Sequence, residues 1–211
     1  MKDIGIIDTG LSNIHSVIHV FEMLDCSVGR ITKIGEEKNF RSIILPGVGS
    51  FKIAVKKLNE KGLDELIKNV VRDGVPFLGI CLGMQLLFSE SEEFGKNKGL
   101  DLIRGQVKKF NFESNNVHIP HVGWNDVKFD NEMKLFNGID SSNYFYFVHS
   151  YYVSVDKNLS DVRIGKTNYA GKEFISCIES ENILATQFHP EKSGKIGIEV
   201  CKNFKNIIKE K

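Results

Sequence analysis

Phe77-Leu78-Gly79-Ile80-Cys81-Leu82-Gly83 is an apolar run that stops on a cysteine set between two glycines. Val75 to Ile80 reads as a buried strand and Leu82 to Phe88 as the start of a helix, so Cys81 falls on a strand-to-helix turn. Gly79 and Gly83 let strand and helix pack close around a sharp turn, the mechanics of a nucleophile elbow. A sulfur there lies near the positive end of a helix dipole, which favours the thiolate, the form that attacks carbonyl carbon well. A lone cysteine at the end of a strand is more often a small buried hydrophobe. Far downstream, however, stands Gln187-Phe188-His189-Pro190-Glu191. Together the two stretches supply a nucleophile, a base and a carboxylate to orient the base, the minimum for thiol-based acyl transfer.

Outward from this turn, the first half of the chain alternates strand and helix. A strand at Ile4–Asp8 precedes a helix from about Ser12, striped by Ile14, Val17, Ile18, Phe21 and Leu24. The next strand, Ser42–Leu45, ends at Pro46-Gly47, and helical pattern returns through Ala54–Leu58 and Leu63–Val71. From Leu102 to Thr186 short strands and turns prevail, including Tyr144-Phe145-Tyr146-Phe147, before a closing helix that bears Ile196, Val200, Phe204 and Ile207. The expected fold is α/β: an open, mostly parallel central sheet flanked by helices, with an additional mainly antiparallel strand region in the second half. Residues 1–211 form one domain in this reading, with no repeats and no linker. Ligands of open α/β sheets sit at the carboxyl ends of the strands, where Asp8, Gly47 and Cys81 all fall.

Composition narrows the function classes. The formal net charge of the 211 residues is +1 and the lysines are scattered, which gives no electrostatic case for nucleic acid or a membrane surface. No apolar stretch approaches the ~20 residues that span a bilayer. Met1-Lys2-Asp3-Ile4 enters a strand at once without a signal peptide, and Cys26, Cys81, Cys177 and Cys201 show no CxxC spacing. A cytoplasmic protein with free thiols is expected.

Pro46-Gly47-Val48-Gly49-Ser50 could cradle phosphate, but Lys52 breaks the dinucleotide fingerprint and there is no Walker pattern. Its better use is to aim backbone N–H groups of Val48 and Gly49 at an oxyanion, joined by the N–H of Leu82 just after the nucleophile. Pro190 holds His189 extended, so Glu191 returns to the same side to bond the imidazole and set its tautomer. His118 and His121 flank a proline, with no third ligand nearby, and His15 and His19 lack the glutamate of a zinc-protease helix. Neither a metal nor a cofactor is expected.

With these residues assembled, the chain resembles the class I (triad) glutamine amidotransferases. Gly79-Ile80-Cys81-Leu82-Gly83-Met84-Gln85 is similar to that family's nucleophile motif, and Pro46-Gly47-Val48-Gly49 to its oxyanion strand. Pro120-His121-Val122-Gly123-Trp124-Asn125, Phe147-Val148-His149-Ser150-Tyr151-Tyr152 and Gln187-Phe188-His189-Pro190-Glu191-Lys192-Ser193 resemble the branch of the family that serves histidine biosynthesis. The resemblance runs from residue 4 to the last helix. It implies that Cys81, His189 and Glu191 are the triad and that Gly49, Gln85, Glu93, His149, Ser150 and Tyr151 surround glutamine. It also implies that Asn13, Trp124 and Lys192 face a separate (β/α)₈ cyclase, the synthase subunit of a heterodimer, which receives ammonia along a dry route. One segment departs: Asp8-Thr9-Gly10-Leu11-Ser12-Asn13 stands where the family usually has Asp-Tyr-Gly-x-Gly-Asn. Thr9 and Ser12 then lie on the partner side, which keeps a sugar-amidating synthase of surface polysaccharide biosynthesis as the alternative partner. A peptidase or γ-glutamyl hydrolase would share the Cys–His pair but leave Gln85 and Glu93 idle. A silent binding subunit would not need an intact triad.

Overall fold

The computed structural model describes residues 1–11, 14–113, 116–155 and 162–209. The first half runs β1 Lys2–Ile7, α1 Ile14–Met23, β2 Val28–Ile31, β3 Phe40–Gly47, α2 Phe51–Glu60, α3 Leu63–Arg72, β4 Phe77–Cys81 and α4 Leu82–Leu86. The second runs β5 Phe88–Ser91, β6 Asn97–Lys98, β7 Ile103–Lys109, β8 His121–Asp126, β9 Tyr144–His149, β10 Tyr151–Ser154, β11 Arg163–Tyr169, β12 Lys172–Ser180, β13 Ile183–Thr186 and α5 Gly194–Lys209.

One large sheet takes the order β2-β1-β3-β4-β13-β12-β10-β7-β5-β6, with β11 on β12. Its first five strands are parallel, and from β12 outward the pairing is mainly antiparallel. Parallel strands covered by helices on both faces read as continuous apolar runs rather than alternating ones. Successive residues of β3 show why: Ile44 packs under α1 and α5, whereas Ile43 and Leu45 pack under α2 and α3. Phe21 of α1 meets Phe204 of α5 edge-on, ring centroids 6.1 Å apart. β8 and β9 form a separate antiparallel pair.

The architecture is the one expected from the sequence, with four local corrections. The short edge strand β2 reads Val-Gly-Arg-Ile, too brief and too mixed to stand out as a strand. The cysteine strand begins at Phe77 and not Val75, because the Val75 N–H closes the end of α3 on the Val70 carbonyl and Pro76 interrupts the ladder. The following helix stops at Leu86, since Phe88 is drawn into β5 alongside β7. Leu24 lies just beyond the end of the first helix, although it still packs on the core.

The register of three strands fixes where the site must be. Gly47 of β3 stands beside Cys81 of β4, and Thr186 of β13 beside Ile80. The loop after β3 and the turn after β13 therefore emerge on either side of the cysteine.

Candidate active site

Cys81 adopts φ 55° and ψ −109°, a conformation that costs a non-glycine residue about 1–3 kcal/mol. The surrounding packing enforces it. A Cβ on Gly83 would fall 1.8 Å from the Leu45 carbonyl oxygen, and one on Gly79 would sit 3.0 Å from the backbone of Gly83. Strand and helix thus approach closer than any side chain permits, and the cysteine between them is thrust to the strand end. Helix α4 has only five residues, so the dipole support expected for a thiolate is small. Support for a charge on the sulfur has to come from side chains.

His189 provides the main part. Its Nδ1 lies 2.8 Å from Glu191 Oε1, with both side chains almost fully buried. Burial works against a charge on the imidazole, but the charge and hydrogen-bonding capacity of the Cys81 sulfur, together with Glu191, outweigh it and push His189 up to about 10. The histidine is therefore a cation at neutral pH. Its buried Nε2 is directed at the Cys81 sulfur without closing a hydrogen bond of ordinary geometry, which leaves that N–H available to a reacting group. Ser193, absent from the expected site, locks this turn: its hydroxyl donates to the His189 carbonyl at 2.7 Å and accepts from the Tyr146 N–H at 2.9 Å. The spacing His-Pro-Glu-Lys-Ser was visible in the sequence, but not that the serine ties the turn to β9.

A cavity of about 300 Å³ opens beside the sulfur. Val48, Gly49 and Leu82, the expected oxyanion residues, line it, as do Gln85, Glu93, His149, Ser150 and Tyr151. Gly49 has φ +93°, which turns the loop back toward the start of α2. Glu93 accepts the N–H of Phe51, the first residue of α2, at 2.5 Å, so it fastens the end of the Val48–Gly49 loop as well as facing the cavity. Burial raises its carboxyl above the ordinary range, and this hydrogen bond pulls the other way.

His149 does not face the cavity as a free base. Its Nδ1 lies 2.7 Å from the Tyr151 carbonyl, which only accepts, so the proton is on Nδ1 and Nε2 accepts from His121 Nδ1 at 3.0 Å. Asn125 Nδ2 completes the chain on His121 Nε2 at 3.4 Å. Burial holds His149 down at about 3 and His121 at about 4, so both stay neutral and leave the cationic role to His189. His121 is thereby a strut rather than a metal ligand. Among the described residues no three His, Cys, Asp or Glu side chains gather to hold a metal. Cys177 and Cys201 are fully buried, which pushes their thiols far up.

On the expected partner face, Trp124 is 54% exposed on β8. Its ring reaches to within 3.9 Å of where a Cβ on Gly194 would stand, close to the exposed Lys192. Asn13 and Ser12 lie outside the described residues. Thr9 corrects the sequence reading: it is only 6% exposed, and its hydroxyl accepts the Leu11 N–H at 3.3 Å. A side chain spent on its own turn is not a docking anchor. No described helix is long and apolar enough to cross a membrane.

The model of the family described as "Glutamine amidotransferase class-I" matches residues 5–207. The chain is 48% identical over 206 residues to "Imidazole glycerol phosphate synthase subunit HisH" of Methanocaldococcus jannaschii, covering 97% of this chain and 100% of that one. The protein of the same name from Moorella thermoacetica is 44% identical over 209 residues, covering 99% and 97%. Among solved structures, "Crystal structure of glutamine amidotransferase" superposes with a TM-score of 0.74 at 15% identity, covering 98% of each chain. "Structure of PurLQS from Thermotoga maritima" gives 0.71 at 18%, covering 98% and 99%. The likeness therefore embraces the elbow, the oxyanion loop and the histidine turn in one continuous span, and by it the chain belongs to the class-I glutamine amidotransferases.

Proposed function

We propose that this chain is the glutaminase subunit of an imidazole glycerol phosphate synthase, hydrolysing glutamine and passing ammonia to a separate (β/α)₈ cyclase in histidine biosynthesis. The carrying observation for the chemistry is the buried, cationic His189 beside a strained Cys81 at a glutamine-sized cavity. For the partner it is the near-full-length identity to subunits of that name. Thr9, one of the two departures behind the sugar-amidating alternative, is turned inward, which weakens that alternative.

In this reading Cys81 thiolate attacks the side-chain amide carbon of glutamine. The N–H groups of Val48 or Gly49 and of Leu82 receive the oxyanion, at the mouth shared by the loop and the elbow. His189 Nε2–H protonates the departing nitrogen, and ammonia leaves a glutamyl thioester. Water then gives its proton to His189 and attacks the thioester, which releases glutamate. Glu93 places negative charge where the substrate's α-ammonium would sit. Both N–H groups of Gln85 are committed within the protein, so its remaining oxygen can only accept from the substrate. Ammonia in bulk water would become unreactive ammonium, hence the need for a dry path into the cyclase beneath Trp124 and Lys192.

The test is glutamate release by the chain alone and with the cyclase from the same source plus its ribulosyl-phosphate nucleotide. Stimulation of about 10²-fold or more is expected if the partner aims one more donor of the oxyanion loop. Equal rates with and without partner would dismiss gating. No binding to the cyclase would dismiss the partner. Glutamate release in either arm upholds the chemistry.

Glu191→Gln separates orientation from base. It should cost about 10²–10⁴ in turnover, less than His189→Ala. Because Glu191 raises the histidine's pKa, the variant should lose its imidazolium at lower pH. The alkaline limb of the rate profile then moves toward neutral pH. An alkaline limb that stays in place would mean Glu191 does not support the charge on His189.

A further inference from the structure

We propose that Gln187 is a further catalytic group, whose side-chain amide donates to the Cys81 sulfur and holds it as an anion at the start and the end of each turnover. This rests on the glutaminase reading only for the second of those moments. Gln187 is wholly buried, and its Nε2 lies 3.5 Å from Cys81 Sγ. Its Oε1 accepts from Gln85 Nε2 at 2.9 Å, and the same Gln85 nitrogen donates to the Tyr151 carbonyl at 3.0 Å.

The direction of this chain is determined from its far end. A backbone carbonyl only accepts, so Gln85 must turn its nitrogen toward Tyr151. The second N–H of that nitrogen requires an oxygen opposite, which orients Gln187 with its own nitrogen on the sulfur. Two buried amides thus act as a rigid link from the cavity wall at Tyr151 to the nucleophile. Hydrogen bonds to a charged acceptor are roughly twice as strong as neutral ones, so the link favours sulfur as thiolate over sulfur as thiol. Five-residue α4 offers little for that charge, and Gln187 complements His189 from another side.

Through the cycle the bond switches on and off. Before attack, the sulfur in its thiolate form accepts from Gln187. Once it bonds to the glutamyl carbon it is neutral and a poor acceptor. When water adds, the C–S bond breaks, its electron pair returns to sulfur, the water proton goes to His189, and the Gln187 N–H again meets an anion. Loss of the donor therefore slows the departure of sulfur as well as lowering the supply of thiolate.

Alkylation of Cys81 by iodoacetamide, followed on the Cys81 peptide by mass spectrometry across pH, reads the thiolate without any substrate. His189, from the turn after β13, and neutral His149, from β9, are the titratable neighbours, with Glu191 behind His189 and Glu93 across the cavity. Gln187→Met cannot donate and should alkylate about tenfold to a hundredfold more slowly near neutral pH, converging with the wild type at high pH. Gln187→Glu keeps the length and the bond from Gln85, and sets a carboxylate against the sulfur; it should shift the profile the same way. Profiles that coincide with the wild type, in a variant that melts like the wild type, would overturn the proposal. If Gln187→Met melts early, Gln187→Glu decides. Wild-type glutamate release tests the glutaminase reading separately: a chain that alkylates as expected but releases none keeps Gln187 on the sulfur and loses the assignment.

Discussion

Cys81→Ala is expected to abolish glutamate release, with a loss on the order of 10⁵–10⁶ in turnover. Nothing else described at the cavity replaces the sulfur: the other three cysteines are buried away from it, and Ser150 on the cavity wall has no base paired with it among the described residues. The substitution removes a buried atom of modest size without a change of charge in the rest of the fold, so folding should survive. A synthase partner should still turn over when ammonium salts are supplied at high pH, because free ammonia then bypasses the chain. Two measurements therefore bear on the result, glutamate release and ammonium-dependent synthesis. Persistent glutamine hydrolysis by the alanine variant would sink the assignment of the nucleophile. Loss of both activities would indict the synthase preparation instead, since free ammonia needs no docked chain.

Gly83→Ala should damage the protein more broadly than any single triad change. Its Cβ would stand 1.8 Å from the Leu45 carbonyl oxygen, so β3 and α4 must separate by more than an ångström. Strain of that kind typically costs about 1–3 kcal/mol and occasionally more. For a chain of this size the upper end corresponds to a fall in Tm of about 6–12 °C. The displacement also carries into function. Leu45 is two residues from Gly47, which stands beside Cys81 and leads into Val48 and Gly49. The oxyanion loop would shift with the strand, and glutamate release should fall by at least about 10² even in the folded fraction. Thermal unfolding monitored by circular dichroism gives the first quantity, and activity per folded molecule the second. A variant with unchanged Tm and unchanged turnover would show that the elbow tolerates a side chain and that its tightness is not what positions the sulfur.

The sequence by itself determined the fold class and singled out the candidate reacting residues. Paired glycines around an apolar cysteine strand, and a histidine held extended before Pro190, are local signals, since turn geometry and strand hydrophobicity are set within a few residues. Local signals also misled where a distant strand decided the outcome: Phe88 continues a helical pattern until β7 pairs with it, and β2 is a strand because β1 lies beside it. The polar architecture around the sulfur was decided only in three dimensions. Gln187 and Ser193 lay unassigned inside a quoted motif, and the hydrogen bonds that hold His149 to Tyr151 and His121 at the cavity wall were not legible in the chain. Thr9 read as a surface residue and is turned inward. The physical reason is common to all four. A hydrogen bond is made by whichever groups the packed chain brings within about 3 Å, and the partners here lie on strands and turns far apart in sequence. The sequence names the candidates for reaction; the sheet, by placing β3, β4 and β13 side by side, chooses which other groups hold them.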